Sequence, residues 1–286
     1  MAVISSHYTK KHNTQRGTFK FISILVLTIG AMAMIIPFIW SVMTSLRSAE
    51  NVFAHGIFWI QWPPDFSAYK RIFEKVPILL YAWNTFKVAT IVTIGQLLTS
   101  SLAGYAFAKL KFPGKDKLFV FYLATMMIPG TVLLIPNFVI MSKIGAINTH
   151  WALIISSVVS TYNTFLMRQF FLTFPSELED AAKLDGCNPL GFYWHILLPN
   201  SKPILSTLGI MAFQWVWNDF QWPLIVINDK SLRTLQVGLS YLNSEYYTDW
   251  NFLMAGSILT MLPILILFFL AQKNFVQSFK LTGLKG

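Results

Sequence analysis

Apolar residues gather into six long runs, at residues 21–44, 83–107, 118–141, 151–171, 204–227 and 252–272. Each is close to the ~20 residues a helix needs to cross a hydrocarbon core. The pattern predicts an all-α membrane protein with six transmembrane helices. The first run exceeds the apolar core of ~7–15 residues typical of a cleaved signal, and no A-x-A-like site follows it; it reads as a retained span. Pro37, Pro129, Pro136, Pro223 and Pro263 fall inside the runs. In water each would cost a helix about 3 kcal/mol, whereas neighbours in a membrane bundle re-satisfy the freed carbonyls. Such prolines serve packing geometry, or they let a bundle bend between two states.

Composition agrees with the runs. Charged residues make up 12% of the 286 and hydrophobic ones 55%, with 16% aromatic and a mean hydropathy of +0.54. A soluble domain carries roughly 25% charged residues, so a soluble enzyme, a disordered chain and a disulfide scaffold are excluded. The single Cys187 rules out an intramolecular disulfide and a cysteine-based zinc site. The formal charge of +10 is spread without a Lys/Arg run longer than two, which argues for membrane topology and against nucleic acid.

Six spans put both termini on one side. Lys10, Lys11, Arg16, Lys20, Lys109, Lys111, Lys115, Lys117, Arg168, Lys183, Lys202, Lys273, Lys280 and Lys285 share that side, 14 of the 22 basic residues. Arg47, Lys70, Arg71, Lys75, Lys143, Lys230 and Arg233 lie opposite, and Lys87 lies just inside the second span. The excess places both termini in the cytoplasm. Trp59, Trp62, Trp83, Trp151, Trp222 and Trp250 all fall at or beyond the opposite interface, where indole rings prefer the headgroup level. The expected organisation is a cytoplasmic segment over 1–20, a six-span domain over 21–275 and a cytoplasmic tail over 276–286.

The longest cytoplasmic connection, residues 172–203, reads LTFPSELEDAAKLDGCNPLGFYWHILLPNSKP. Ser176 and Glu179 have the S-x-x-E spacing of a capping box. Leu178, Ala181, Ala182 and Asp185 share one helical face, which the two alanines make thin enough to enter another protein's groove. Asp185-Gly186 predicts a turn with Gly186 left-handed. Asn188-Pro189 predicts a new helix start, running to about Leu198 and stopped by Pro199. The result is a rigid elbow of two short helices, although a hairpin resting on the membrane surface has the same spacing.

Catalytic chemistry is absent from the pattern. No G-x-x-x-x-G-K-[ST] phosphate loop occurs; Gly114-Lys115-Asp116 lacks both the leading Gly and the following hydroxyl. His7, His12, His55, His150 and His195 are scattered, so no metal site is expected, and no G-x-S-x-G elbow is present. Asp219 is the one acid in or near an apolar run, within Trp217-Asn218-Asp219-Phe220-Gln221-Trp222. Intramembrane acids usually face a polar cavity; a solvated helix end is the alternative.

ELEDAAKLDGC followed by HILLP resembles the EAA loop of ABC importer permeases: E-A-A, D-G two residues later, then I-x-L-P after a spacer. Asp180 stands where the family has Glu, with Glu179 beside it. Asn84-Thr85, GYAFAKLKFPGKDKLF, ATMMIPGTVLLIP, LMRQFF, WNDFQWPL and FVQSFKLTGLKG are similar to the carbohydrate-uptake branch, of the maltose and multiple-sugar kind, shorter subunit. The resemblance implies a type I ABC importer permease fold in a bacterial inner or plasma membrane. It implies a binding-protein-dependent importer of a sugar or oligosaccharide in which this chain forms half of the path. The implied partners are a second permease subunit, a dimer of ATPase subunits that holds ATP and Mg, and an extracytoplasmic sugar-binding protein. This chain would carry no cofactor and hydrolyse no ATP. Glu179, Asp180, Ala181, Ala182, Asp185 and Gly186 would couple to the ATPase, and Trp217, Asn218, Asp219, Gln221 and Trp222 are candidates for the substrate path. The competing class is an ion-coupled secondary transporter of a small polar solute, which usually displays midplane carboxylates, His relays or internal repeats. None is evident here.

Overall fold

The computed structural model describes residues 2–241 and 249–283, with side chains described over 20–241 and 249–270. Among the described residues there are helices and turns and no strands. The chain divides into two compact units, Met1–Ile72 with Glu245–Ile258, and Phe73–Ser244 with Leu259–Gly286.

In the first unit, α1 (Ala2–Ser45) and α2 (Ser67–Lys75) are joined by a long connection, with the start of the last helix alongside. Of the apolar stretch Lys20–Ser45 of α1 only Thr44 and Ser45, at its C-terminal end, are buried. Arg47 is 1% exposed and no carboxylate pairs with it among the described residues. Its guanidinium instead donates to the carbonyl oxygens of Val52, Gly56, Ile57 and Trp59 and lies over the Trp59 ring. A buried charge demands such partners, and meeting the demand fixes the connection. Asn251 donates to the Arg47 carbonyl, and Arg71 pairs with Asp249 and donates to Asn251.

The second unit is built around α3 (Ile78–Lys109), 32 residues without proline. Then come α4 (Lys115–Ala124), α5 (Leu134–Lys143), α6 (His150–Ile155), α7 (Thr161–Leu172), α8 (Ser176–Leu184), α9 (Pro189–Phe192), α10 (Leu198–Asn200), α11 (Lys202–Trp217), α12 (Gln221–Val226), α13 (Leu235–Ser240) and α14 (Trp250–Gly283), the last beginning in the first unit. α3 packs chiefly on α7 and α11. At Gly104 a Cβ would lie 2.8 Å from Met167 Cβ and 3.0 Å from Arg168 N, so the absent side chain is what lets α3 and α7 meet backbone to backbone.

Three helices are long and apolar enough to span a membrane: Lys20–Ser45, Ile78–Lys109 and Trp250–Leu270. They carry the first, second and sixth expected spans. The other three are interrupted. The third bends by 90° between Lys115–Met127 and Gly130–Lys143; Pro129 donates no hydrogen bond and forces Ile128 into extended backbone. The fourth opens at 156–160 between α6 and α7, where Ser160 caps α7 by accepting from Asn163 N. The fifth stops at Trp217 and resumes at Gln221. Counting each bent pair, the 90° one and the 77° one at Pro189–Asn200 with Lys202–Trp217, as one span gives up to five by length and composition.

Candidate functional site

The elbow is built largely as its sequence dictates. α8 ends in Gly186 at φ +76, the left-handed conformation that closes a helix with least cost in glycine. Asn188 then caps α9 by accepting from Gly191 N, with Pro189 in the first turn. Two details differ from expectation. Pro175, not Ser176, takes the N-cap of α8, and no side chain caps it. The box therefore does not close, and Glu179 turns elsewhere, to Lys183 Nζ at 2.9 Å and Lys109 Nζ at 3.8 Å. Its carboxylate holds the Lys183 ammonium above the ordinary lysine value. Second, Pro199 does not end the second helix. A π-turn over Tyr193–Leu197 precedes it, a wider hydrogen-bond pattern that accommodates the missing N–H, and helix continues to Asn200.

The two sides of α8 differ sharply. Ala182 is buried with Tyr105, Met167, Phe171, Phe192, Tyr193, Leu197 and Leu208. It therefore does not share an outward face with Ala181 as the spacing suggested. Leu184 is 89% exposed, and Leu178, Asp180, Ala181 and Asp185 are exposed with it. The inner side of the elbow as a whole is fastened to α3. Ser101 Oγ and Tyr193 OH lie 2.7 Å apart, Tyr105 OH donates to Pro189 O at 2.9 Å, and Lys109 Nζ donates to Phe174 O at 3.0 Å.

The segment 217–222 forms the break between α11 and α12. Trp217 is 1% exposed, stacked on Phe213, with Nε1 donating to Thr260 O. Trp222 is buried, with Nε1 donating to Ala152 O. Both indoles are thus satisfied in the protein interior. Asp219 Oδ1 accepts from Trp222 N at the start of α12. Asn218 and Gln221 are exposed, and Gln236 Nε2 donates to Asn218 Oδ1.

A cavity of ≈ 380 Å³ opens at the break between α6 and α7, walled by Gln96, Ser157, Ser160, Asn163 and Trp215 among others. Gln96 donates to Ser157 O at 2.7 Å and accepts from Asn163 Nδ2 at 2.9 Å, and Thr99 Oγ1 donates to Val158 O. Trp215 is 60% exposed. Amides and hydroxyls beside a flat indole suit an uncharged polyhydroxyl ligand. These residues were missed in the sequence, yet a signal was there: Gln96 and Asn163 are amides inside apolar runs, where polar groups are expensive. Among the described residues no group of three His, Cys, Asp or Glu could hold a metal.

Residues 96–281 match the family described as the binding-protein-dependent transport system inner membrane component. The chain belongs to that family, and is a membrane component of such a transport system. It is 34% identical over 268 residues to the arabinooligosaccharides transport system permease protein AraQ of Halalkalibacterium halodurans, covering 91% of this chain and 96% of that one. To the lactose transport system permease protein LacG of Rhizobium radiobacter it is 33% identical over 253 residues, covering 88% and 92%. Among solved structures, a chain of a bacterial ABC transporter involved in the import of the acidic polysaccharide alginate matches with a TM-score of 0.80 over 90% of this chain and 96% of that one. At 24% identity that likeness is one of fold.

Proposed function

We propose that this chain is the permease subunit of an ATP-driven, binding-protein-dependent importer of a sugar or oligosaccharide. Six crossings with both termini in the cytoplasm fit the charge distribution. In this reading the chain forms half of the path with a second permease subunit, and a separate dimer of ATPase subunits supplies ATP and Mg. The observation that carries the reading is the two-sided elbow. Its outward face, Leu178, Asp180, Ala181, Leu184 and Asp185, is exposed and apolar enough to seat in a protein groove, while its inward face is fastened to the core. Asp180 takes the contact with the ATPase, because Glu179 is already engaged by Lys109 and Lys183. The solute passes the cavity at the α6–α7 break, its hydroxyls on Gln96, Ser157 and Asn163 and a sugar face on Trp215. The relatives' named solutes, arabinooligosaccharides and lactose, are of this class.

The test is uptake into proteoliposomes holding this chain, a second permease subunit and the ATPase, with a sugar-binding protein outside. Uptake should require ATP and vanish without the ATPase. Uptake driven by a proton or sodium gradient alone would overturn the reading. In the same vesicles Trp215→Ala should lower sugar uptake roughly tenfold by removing the stacking face, with ATP hydrolysis retained.

A further inference from the structure

We propose that α3 is the transmission rod of this permease, and that Ser101, Tyr105 and Lys109 form the joint through which the elbow moves it. This rests on the importer reading above. The three residues stand four apart, so they line one stripe of the helix. Each bonds to a different part of the elbow: Tyr193 OH, Pro189 O, and Phe174 O with Glu179. Ser101 and Tyr193 are at most 1% exposed and Tyr105 is 5% exposed. Water is shut out of the Ser101–Tyr193 bond, while the Tyr105 and Lys109 bonds border a cavity of ≈ 270 Å³; the buried bond, backed by the other two, ties a shift of the elbow to α3.

Two further sets of bonds run up the same helix. Gln96 and Thr99 hold Ser157 O and Val158 O at the cavity. Near the N-terminal end Asn84 Nδ2 donates to Ser231 O and Arg233 O, and Thr85 Oγ1 accepts from Leu235 N. Thus α3 satisfies backbone groups at three irregular segments: the elbow, the α6–α7 break and the loop before α13. From Asn84 to Lys109 is ~37 Å at 1.5 Å per residue, with no break. The other helices leading from the elbow are poor levers. α7 stops at the cavity, and α11 meets the elbow at a 77° bend. Force on α8 therefore reaches the far loop chiefly through α3, which is bonded to the start of α7 at the cavity wall.

The test uses the reconstituted complex of both permease subunits, ATPase and binding protein. Tyr105→Phe deletes one hydroxyl and keeps the ring. It should leave assembly and ATP hydrolysis within about twofold of wild type while solute moved per ATP falls at least about fivefold, the low end of a coupling effect. Ser101→Ala and Tyr193→Phe break the same bond from opposite sides, so the double variant should be no worse than either single one. In a Cys187→Ala background, maleimide labelling of Asn228→Cys should change with ATP in the parent and stay fixed in Ser101→Ala. Unchanged solute per ATP, or a loss of transport in proportion to assembled complex, would show a merely structural role and overturn the joint alone. Import without ATP by the unaltered complex would overturn the importer reading, and the joint with it.

Discussion

Individual residues of the elbow were legible where one dihedral or a near neighbour decides. Gly186 follows from the need for a left-handed closure, and Asn188 from a cap three residues away. The link from Glu179 to Lys109 was not legible, since the two stand 70 positions apart and Pro175 displaced the local box. The two acids now separate. Asp180→Asn should weaken transport about tenfold while Asp180→Glu retains it, whereas Glu179→Gln should loosen α8 itself, read as faster amide exchange over 176–184. A Cβ at Gly186 meets nothing within 4 Å, so Gly186→Val should cost only the backbone strain of ~1–2 kcal/mol and uncouple without preventing assembly. Asp229 lies outside the spans and is held below its ordinary value of 3.8 by the Ser231 amide and hydroxyl. A lowered folded pKa contributes stability present above the unfolded value and lost as pH falls through the folded one. Protection of the Ser231 amide should hold at neutral pH and disappear on acidification below the ordinary aspartate range, while Asp229→Asn should abolish that pH dependence.

At the scale of elements, long apolar runs without interruption were readable as helices because hydropathy summed over a span outweighs any single position. The breaks were hidden by the same sum. Ser156 to Ser160 dilutes a 21-residue window too little to show, and only the structure reveals that Ser156 turns back to Ala152 O while Ser160 starts a new helix. The α3–α7 crossing was equally silent, because a glycine inside a span has no local signature of its partner. Gly104→Ala should destabilise by about 1–3 kcal/mol through overpacking against Met167 and the Arg168 backbone. The measurement is the midpoint of thermal unfolding in detergent, set beside Gly30→Ala, whose Cβ meets nothing within 4 Å. Equal midpoints would mean that the crossing yields without strain.

For the molecule as a whole, family and membrane setting could be read from composition and the elbow motif, whereas the cavity could not, because its walls come from helices more than a hundred positions apart. Leu184→Cys, 89% exposed, should cross-link to a cysteine in the ATPase groove, and buried Ala182→Cys should not; the reverse would place the other side of α8 against the partner. The unbroken α3 also bears on how such chains diverge. One residue inserted or deleted between Asn84 and Lys109 would rotate everything beyond it by about 100° and shift it by 1.5 Å. The bonding side chains on one side of the change would then face the wrong way relative to those on the other. Relatives should accordingly accumulate length changes in the connections and keep α3 at constant length, so that gaps in their alignment mark the segments free of mechanical duty.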